Sequence, residues 1–231
     1  DSGAVGVVAY LSPDANIDSM FGTTSRYDPT TDGPSKLIST CSLLGVATMN
    51  DDAKRVAFIS IQQQQGIYAD GYKVSPLRTG YESIVSQRTS SIFATAAEQD
   101  GEVVEVNKHG VTIKYADGSY DSAPLGVSHG TAAGVNYPHE LITSLKKGDK
   151  FKLGDTITYN KKYFEEDRYT PAQVSWKAGC IPVVAFSDNL DTLEDGSTVS
   201  AKLAKELTTQ TTDIKNITVR FDQSVKNLVK V

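Results

Sequence analysis

Three groups of residues in this chain have types and spacing suited to phosphate and metal chemistry. Arg55 follows the adjacent carboxylates Asp51 and Asp52 by about one helical turn. A guanidinium stays charged and grips phosphate oxygens through paired N–H groups. It could equally close an ion pair with Asp51 or Asp52, worth about 0–1 kcal/mol at a surface. Glutamines fill positions 62 to 65, and the amides of Gln63 and Gln65 can read sugar hydroxyls and base edges without adding charge. A polar helix face would use the same residues. Glu194 and Asp195 form a second adjacent acidic pair. Two such carboxylates can approach a divalent metal directly or through water. At a helix start they would instead favour the dipole by about 0.3–1 kcal/mol. The histidines add little: His109 sits in a turn beside Gly110, and His129 and His139 read as solvated loop residues. Ser128 and Ser175 lack a nucleophile-elbow context, which argues against a hydrolase.

The elements that position these groups follow from periodicity. Asp51 and Asp52 sit where a helix would begin, and residues 53–65 read as that helix, with Val56, Ile59 and Gln63 on one side. Before it, 5–11 and 37–46 are short apolar segments separated by a loop rich in Asp, Ser, Thr, Gly and Pro. From residue 84 the texture turns to β. Val104 and Val106, then Val111, Ile113 and Tyr115, mark two strands joined by a hairpin at 107–110. Residues 118–137 read as a long excursion. Residues 145–157 carry two Gly-Asp turns between short strands. The run 181–186, IPVVAF, suits a buried strand. Residues 198–207 read as an amphipathic helix through Val199, Leu203 and Leu207, and 216–223 as a closing strand.

Composition bounds the possibilities. The 231 residues, 39% hydrophobic and 22% charged, suit one large domain or two small ones. No apolar run reaches the roughly 18–20 residues of a membrane helix. The opening DSGAVGVVAY has neither a basic leader nor an initiator Met, as expected of a processed product or a piece of something longer. Two distant cysteines, Cys41 and Cys180, suggest no disulfide framework, and a reducing compartment is the default. The net charge of −5 is wrong for a protein that binds nucleic acid alone, because phosphate neutralisation supplies most of that affinity. If nucleic acid is involved, the chain offers a few positioned groups inside a larger assembly.

The order of these motifs resembles the β subunit of multisubunit DNA-dependent RNA polymerases. In that family a DDANR element leads into a helix ending near QRQ, followed by TG-x-E. Here stand Asp51-Asp52-Ala53-Lys54-Arg55, Gln63-Gln64-Gln65 and Thr79-Gly80-Tyr81-Glu82. Further on, the family has a Gly-Asp turn, an apolar VAFMPW strand, an acidic pair, a helix and a strand. Gly148-Asp149, Val184-Ala185-Phe186, Glu194-Asp195, residues 200–207 and 217–221 follow that order. The opening stretch 6–21 matches more weakly. Gln64 replaces the family's arginine, which removes one phosphate contact, and Leu190-Asp191-Thr192 replaces GYN. The NADFDGD pattern, which carries the main metal site on β′, does not occur in this chain.

The resemblance implies an α+β, β-rich fold: part of a double-psi β-barrel with β-hairpin insertions and a few short helices. It implies the central, catalytic-side portion of a β-like subunit, divergent and split as in large bacteriophages. The β-rich excursion spans about 90–145, and no internal domain boundary is drawn. By resemblance, Glu194 and Asp195 lie near the second metal, Arg55 meets nucleotide phosphates, and Gln63 and Gln65 face the RNA. The implied cofactor is Mg2+, its main site on a β′-like partner. The implied partners are that subunit, the remainder of β, DNA template, RNA and nucleoside triphosphates, with no membrane, in the bacterial host cytoplasm. A non-enzymatic β-rich virion or assembly protein is the alternative from another class. A stand-alone oligonucleotide-binding barrel is a third reading, and the lack of a basic stripe with interleaved aromatics counts against it.

Overall fold

A computed structural model describes residues 15–33, 36, 39–64, 67–132, 134–187 and 196–224, except for the side chains at 40, 41, 60, 61, 63 and 64. The segment 5–11 and the candidates Gln65, Glu194 and Asp195 lie outside the described residues.

The chain is β-rich, at 29% strand and 13% helix, and its sheet curls into a half-barrel, as the α+β, β-rich class requires. Helix α1 (Ala53–Gln64) precedes ten strands. These are β1 (Ala94–Ala96), β2 (Gly101–Asn107), β3 (Gly110–Tyr115), β4 (Tyr120–Pro124) and β5 (Gly126–Ala132). Then come β6 (Val135–Ile142), β7 (Lys150–Phe151), β8 (Thr156–Asn160), β9 (Phe164–Glu166) and β10 (Val174–Trp176). A short helix α2 (Ala201–Glu206) follows. One antiparallel sheet has the order β1-β8-β6-β5, a second has β4-β3-β2-β7, and β9 pairs with β10.

The β2–β3 hairpin forms where the alternation predicts, with its turn held by Asn107, whose Oδ1 accepts from the His109 and Gly110 N–H groups. Its core face is shifted by a bulge between Val103 and Glu105. Val103 is therefore buried and Val106 packs against the core, while Val104 is only half-buried. Val103, Val111, Ile113, Phe151 and Ile157 form one core. Tyr68, Tyr159, Tyr163, Phe164 and Val174 form another. Strand β8 contributes to both and is buried along its whole length. Each such aliphatic side chain stabilises by about 1.5–3 kcal/mol.

The two Gly-Asp turns are built alike. Asp149 Oδ2 accepts from Lys146 N–H at 2.7 Å, and Asp155 Oδ2 accepts from Lys152 N–H at 2.8 Å. Gly148 and Gly154 take φ values of +89° and +87°, a left-handed backbone that side chains resist. The first turn exchanges backbone bonds with Val103 and the second with Ala97. This stitches β2 and Ala97, just after β1, to the turns on either side of β7.

Four sequence expectations are corrected. The 118–137 excursion is strand β4 and the β5–β6 hairpin, because Gly, Ser and Ala also suit closely paired strands. The run 181–186 is neither buried nor a strand: Val183 is 102% exposed and Phe186 98%. No described strand lies beside it to receive its backbone bonds. Residues 217–221 likewise form no strand, and Phe221 is fully exposed. The C-terminal helix begins at Ala201, after Ser200, whose extended backbone and side-chain oxygen cap the Leu203 N–H; Val199 stays outside it. No helix among the described residues is long and apolar enough to cross a membrane.

Candidate functional site

Helix α1 starts where the acidic pair predicts. Asp52 Oδ1 accepts from Lys54 N–H at 3.1 Å, and the Asp52 carbonyl accepts from Val56 N–H. Asp51 Oδ1 accepts from Asp52 N–H. Val56 is buried and anchors the helix, which packs against the 3-10 turn Thr40–Leu44. On the open side, Asp51, Arg55, Phe58, Ile59 and Gln62 line a recess of about 290 Å³. Their spacing marks one stripe of the helix.

Arg55 is exposed and makes no ion pair among the described residues, so the bond to Asp51 or Asp52 considered from sequence does not form. Its charge stands over a partly apolar floor with the Gln62 amide two turns on. That arrangement can hold an anionic group and offer a neutral hydrogen bond beside it. Gln62 was legible in principle, because it stands seven residues after Arg55. Gln63 lies in the same helix, its side chain not described. The structure thus places Arg55 in a recess; the Gln63 side chain, Gln65, Glu194 and Asp195 lie outside the described residues.

Thr79-Gly80-Tyr81-Glu82 is a closed turn. The Glu82 carboxylate, 3% exposed, accepts from the Thr79 and Gly80 N–H groups at 3.1 and 2.9 Å. Gly80 has φ +91°, which explains a glycine there. The Glu82 carbonyl accepts from Trp176 N–H, tying the turn to β10.

Arg78, just before this turn, carries the best-built polar cluster. Its Nη1 donates to Asp167 Oδ2 at 2.9 Å and to Ser175 Oγ at 3.1 Å. Ser175 Oγ also donates to Asp167, and the Tyr169 and Thr170 N–H groups donate to the other carboxylate oxygen. The Arg78 guanidinium lies 4.7 Å from the Tyr169 ring centroid. Burial alone would raise the Asp167 pKa; the hydrogen bonds from Ser175, Tyr169, Thr170 and Arg78 outweigh it and hold the carboxyl at about 2. Ser175 is fully buried, so its hydroxyl is a structural donor. Sequence reading missed this clasp because Arg78 and Asp167 stand 89 residues apart.

His139 is the remaining correction. It is 5% exposed on β6, stacked on Tyr163 and edge-on to Phe93, because the 118–137 stretch is sheet and not loop. His129 lies exposed on strand β5, and His109 is exposed in its turn. Asn160 Oδ1 accepts from Lys162 N–H, which turns the Asn160 amide nitrogen toward His139 Nδ1 at 2.9 Å. His139 Nδ1 must then accept, so the ring is held neutral. Burial lowers its pKa below 6.5, helped by the nearby charges of His129 and Lys162. The unfolded chain therefore binds a proton before the folded one does. Stability should be constant above pH 6.5 and fall below it, by up to about 1.4 kcal/mol per pH unit, until the folded-state pKa is passed. Urea unfolding from pH 8 to 5 checks this against His139→Gln, which should lose that part of the slope. Equal slopes would remove His139 as the cause.

Comparison with known proteins finds no family model and no curated protein that matches this chain.

Proposed function

We propose that this chain is the central, catalytic-side portion of a β-like subunit of a multisubunit DNA-dependent RNA polymerase. It acts in template-directed RNA synthesis only when assembled with a β′-like subunit and the remainder of β, in the host cytoplasm. The observation that carries the reading is the state of segment 181–186, which holds the VAF match. Its alternate residues are apolar on both sides, the pattern of a strand buried on two faces. Yet Ile181, Val183, Val184 and Phe186 are 59–102% exposed, and no described strand pairs with them. Such a segment calls for sheet supplied from elsewhere. A double-psi barrel completed by sequence outside this chain would supply it. Arg55, in its recess and without an ion-pair partner among the described residues, supports the reading from a second direction.

In this reading Arg55 holds nucleotide phosphates, and Gln63 and Gln65 contact RNA. Glu194 and Asp195 stand near the second metal. Mg2+ is the implied ion, its main site on the β′-like partner. Among the described residues no group of three His, Cys, Asp or Glu side chains is placed to hold a metal. Glu194 and Asp195 lie outside them, so no metal-dependent step is assigned to this chain's described side chains.

The test is extension by the reconstituted enzyme. The isolated chain should be inactive. In the complex, Glu194→Gln with Asp195→Asn should assemble and bind template normally but extend RNA more slowly, with partial relief at raised Mg2+. Wild-type extension across the Mg2+ titration would make the pair structural. Robust template-dependent incorporation by the chain alone would contradict the proposal.

A further inference from the structure

The cleft beside the Arg78 clasp has features that the clasp does not use. It measures about 250 Å³ and runs between residues 73–78 and 165–169. Both hydrogen bonds of Arg78 leave from Nη1. Its Nε and Nη2 make no hydrogen bond among the described residues, and the side chain is 18% exposed. A guanidinium has five N–H donors in a rigid fork, so Arg78, which lines the cleft, keeps donors that the clasp does not spend. Lys73 and Arg168 also line it, and neither forms an ion pair among the described residues.

Three acids line the cleft as well, but two are already occupied. Asp167 is saturated by the clasp, and Glu166 accepts from Ser144 Oγ. Glu165 stands close enough to Lys177 to act on its charge. Tyr169 contributes an aromatic plane: Arg78 covers one face, yet the residue is 79% exposed. Val74, Pro76 and Ile181 supply apolar wall.

We propose that this cleft is a nucleotide-binding subsite. A phosphate sits on the unspent donors of Arg78 between Lys73 and Arg168, and the base stacks on the open face of Tyr169. Arg78 is suited to this because Asp167, Ser175 and Tyr169 fix its plane before the ligand arrives, which lowers the ordering cost of binding. Lys73, Arg78 and Arg168 are balanced by Glu165, Glu166 and Asp167, so the lining is formally neutral and the contact is a positioning one of modest affinity. The ligand is either a free nucleotide or one unit of a nucleic-acid strand; both present the same phosphate and base. The subsite uses none of Arg55, Gln63, Gln65, Glu194 or Asp195, and so stands or falls separately from the polymerase reading.

The test is NMR titration of the full chain, following the Arg78 Nε–H and Tyr169 ring signals. The probes are UMP, inorganic phosphate and a short oligouridylate. UMP should shift both signals saturably, and inorganic phosphate only the Arg78 signal, more weakly. Tyr169→Ala and Tyr169→Leu should each weaken UMP roughly 5- to 150-fold, the span of about 1–3 kcal/mol per stacked base. Lys73→Gln with Arg168→Gln should weaken UMP and phosphate alike. Tighter binding of the oligouridylate assigns the site to a strand, and equal binding to a free nucleotide. An Arg78 signal that none of the three probes moves, or UMP affinity unchanged in both Tyr169 variants, overturns the proposal.

Discussion

Arg78→Ala lowers the stability of the folded chain by about 3 kcal/mol, the low end of the range for breaking a buried ion pair. The low end applies because Asp167, with its side chain 3% exposed, keeps three other donors: Ser175 Oγ and the Tyr169 and Thr170 N–H groups. Removing the guanidinium still leaves a desolvated carboxylate without its counter-charge. The Arg78 contact also joins the stretch before the Glu82 turn to β10 through Ser175, so two long-range ties are lost. Arg78→Lys keeps the charge but loses the planar fork and should fall between. The pH dependence has a definite sign. The Asp167 pKa is depressed from 3.8 to about 2, so its contribution is present above pH 3.8 and lost as pH falls through about 2. In Arg78→Ala the carboxyl should titrate nearer its ordinary value. Urea unfolding at neutral pH and an NMR titration of the Asp167 carboxyl check both statements. A loss below 1 kcal/mol would rank the clasp with exposed surface pairs.

On the proposed polymerase reading, Arg55→Ala should have its effect in the assembled enzyme. Losing one charge-assisted contact to a phosphate typically costs about 1.5–3 kcal/mol, roughly 10- to 150-fold in extension rate or apparent nucleotide KM. The fold itself should be indifferent, within about 0.5 kcal/mol, because Arg55 is exposed and unpaired among the described residues. That separation makes the variant informative: a kinetic defect with an unchanged melting curve points to a contact with substrate. Unchanged extension in a properly assembled complex would leave Arg55 without a role in the reaction.

The parts of the fold legible in the sequence are those set by local chemistry. Asp52 starts α1 because its carboxylate reaches the Lys54 N–H two residues on. The Gly-Asp turns at 148–149 and 154–155 close through bonds within a few residues. The β2–β3 hairpin follows from alternation, although the bulge after Val103 changed which valines reach the core. What was not legible depends on distant partners. His139 looked like a loop residue because the Gly/Ser/Ala composition around it hides the β5–β6 pairing that buries it. The apolar run 181–186 read as buried because hydrophobicity says that a strand wants cover, not whether the described fold supplies it. The Arg78–Asp167 clasp has no spacing rule, since a loop packed against the β9–β10 pair, and not helical periodicity, brings its residues together. Of the site residues expected from sequence, Arg55 is described with its recess, whereas Gln65, Glu194 and Asp195 lie outside the described residues.

Purification of the native complex, with its partners identified by mass, tests the central claim most directly. The polymerase reading predicts that the chain comes out stoichiometrically with a large β′-like subunit carrying NADFDGD and with a polypeptide supplying the rest of β, and that this complex extends RNA on a DNA template. Recovery of the chain with structural virion proteins alone, or by itself with no polymerase subunit, would contradict it.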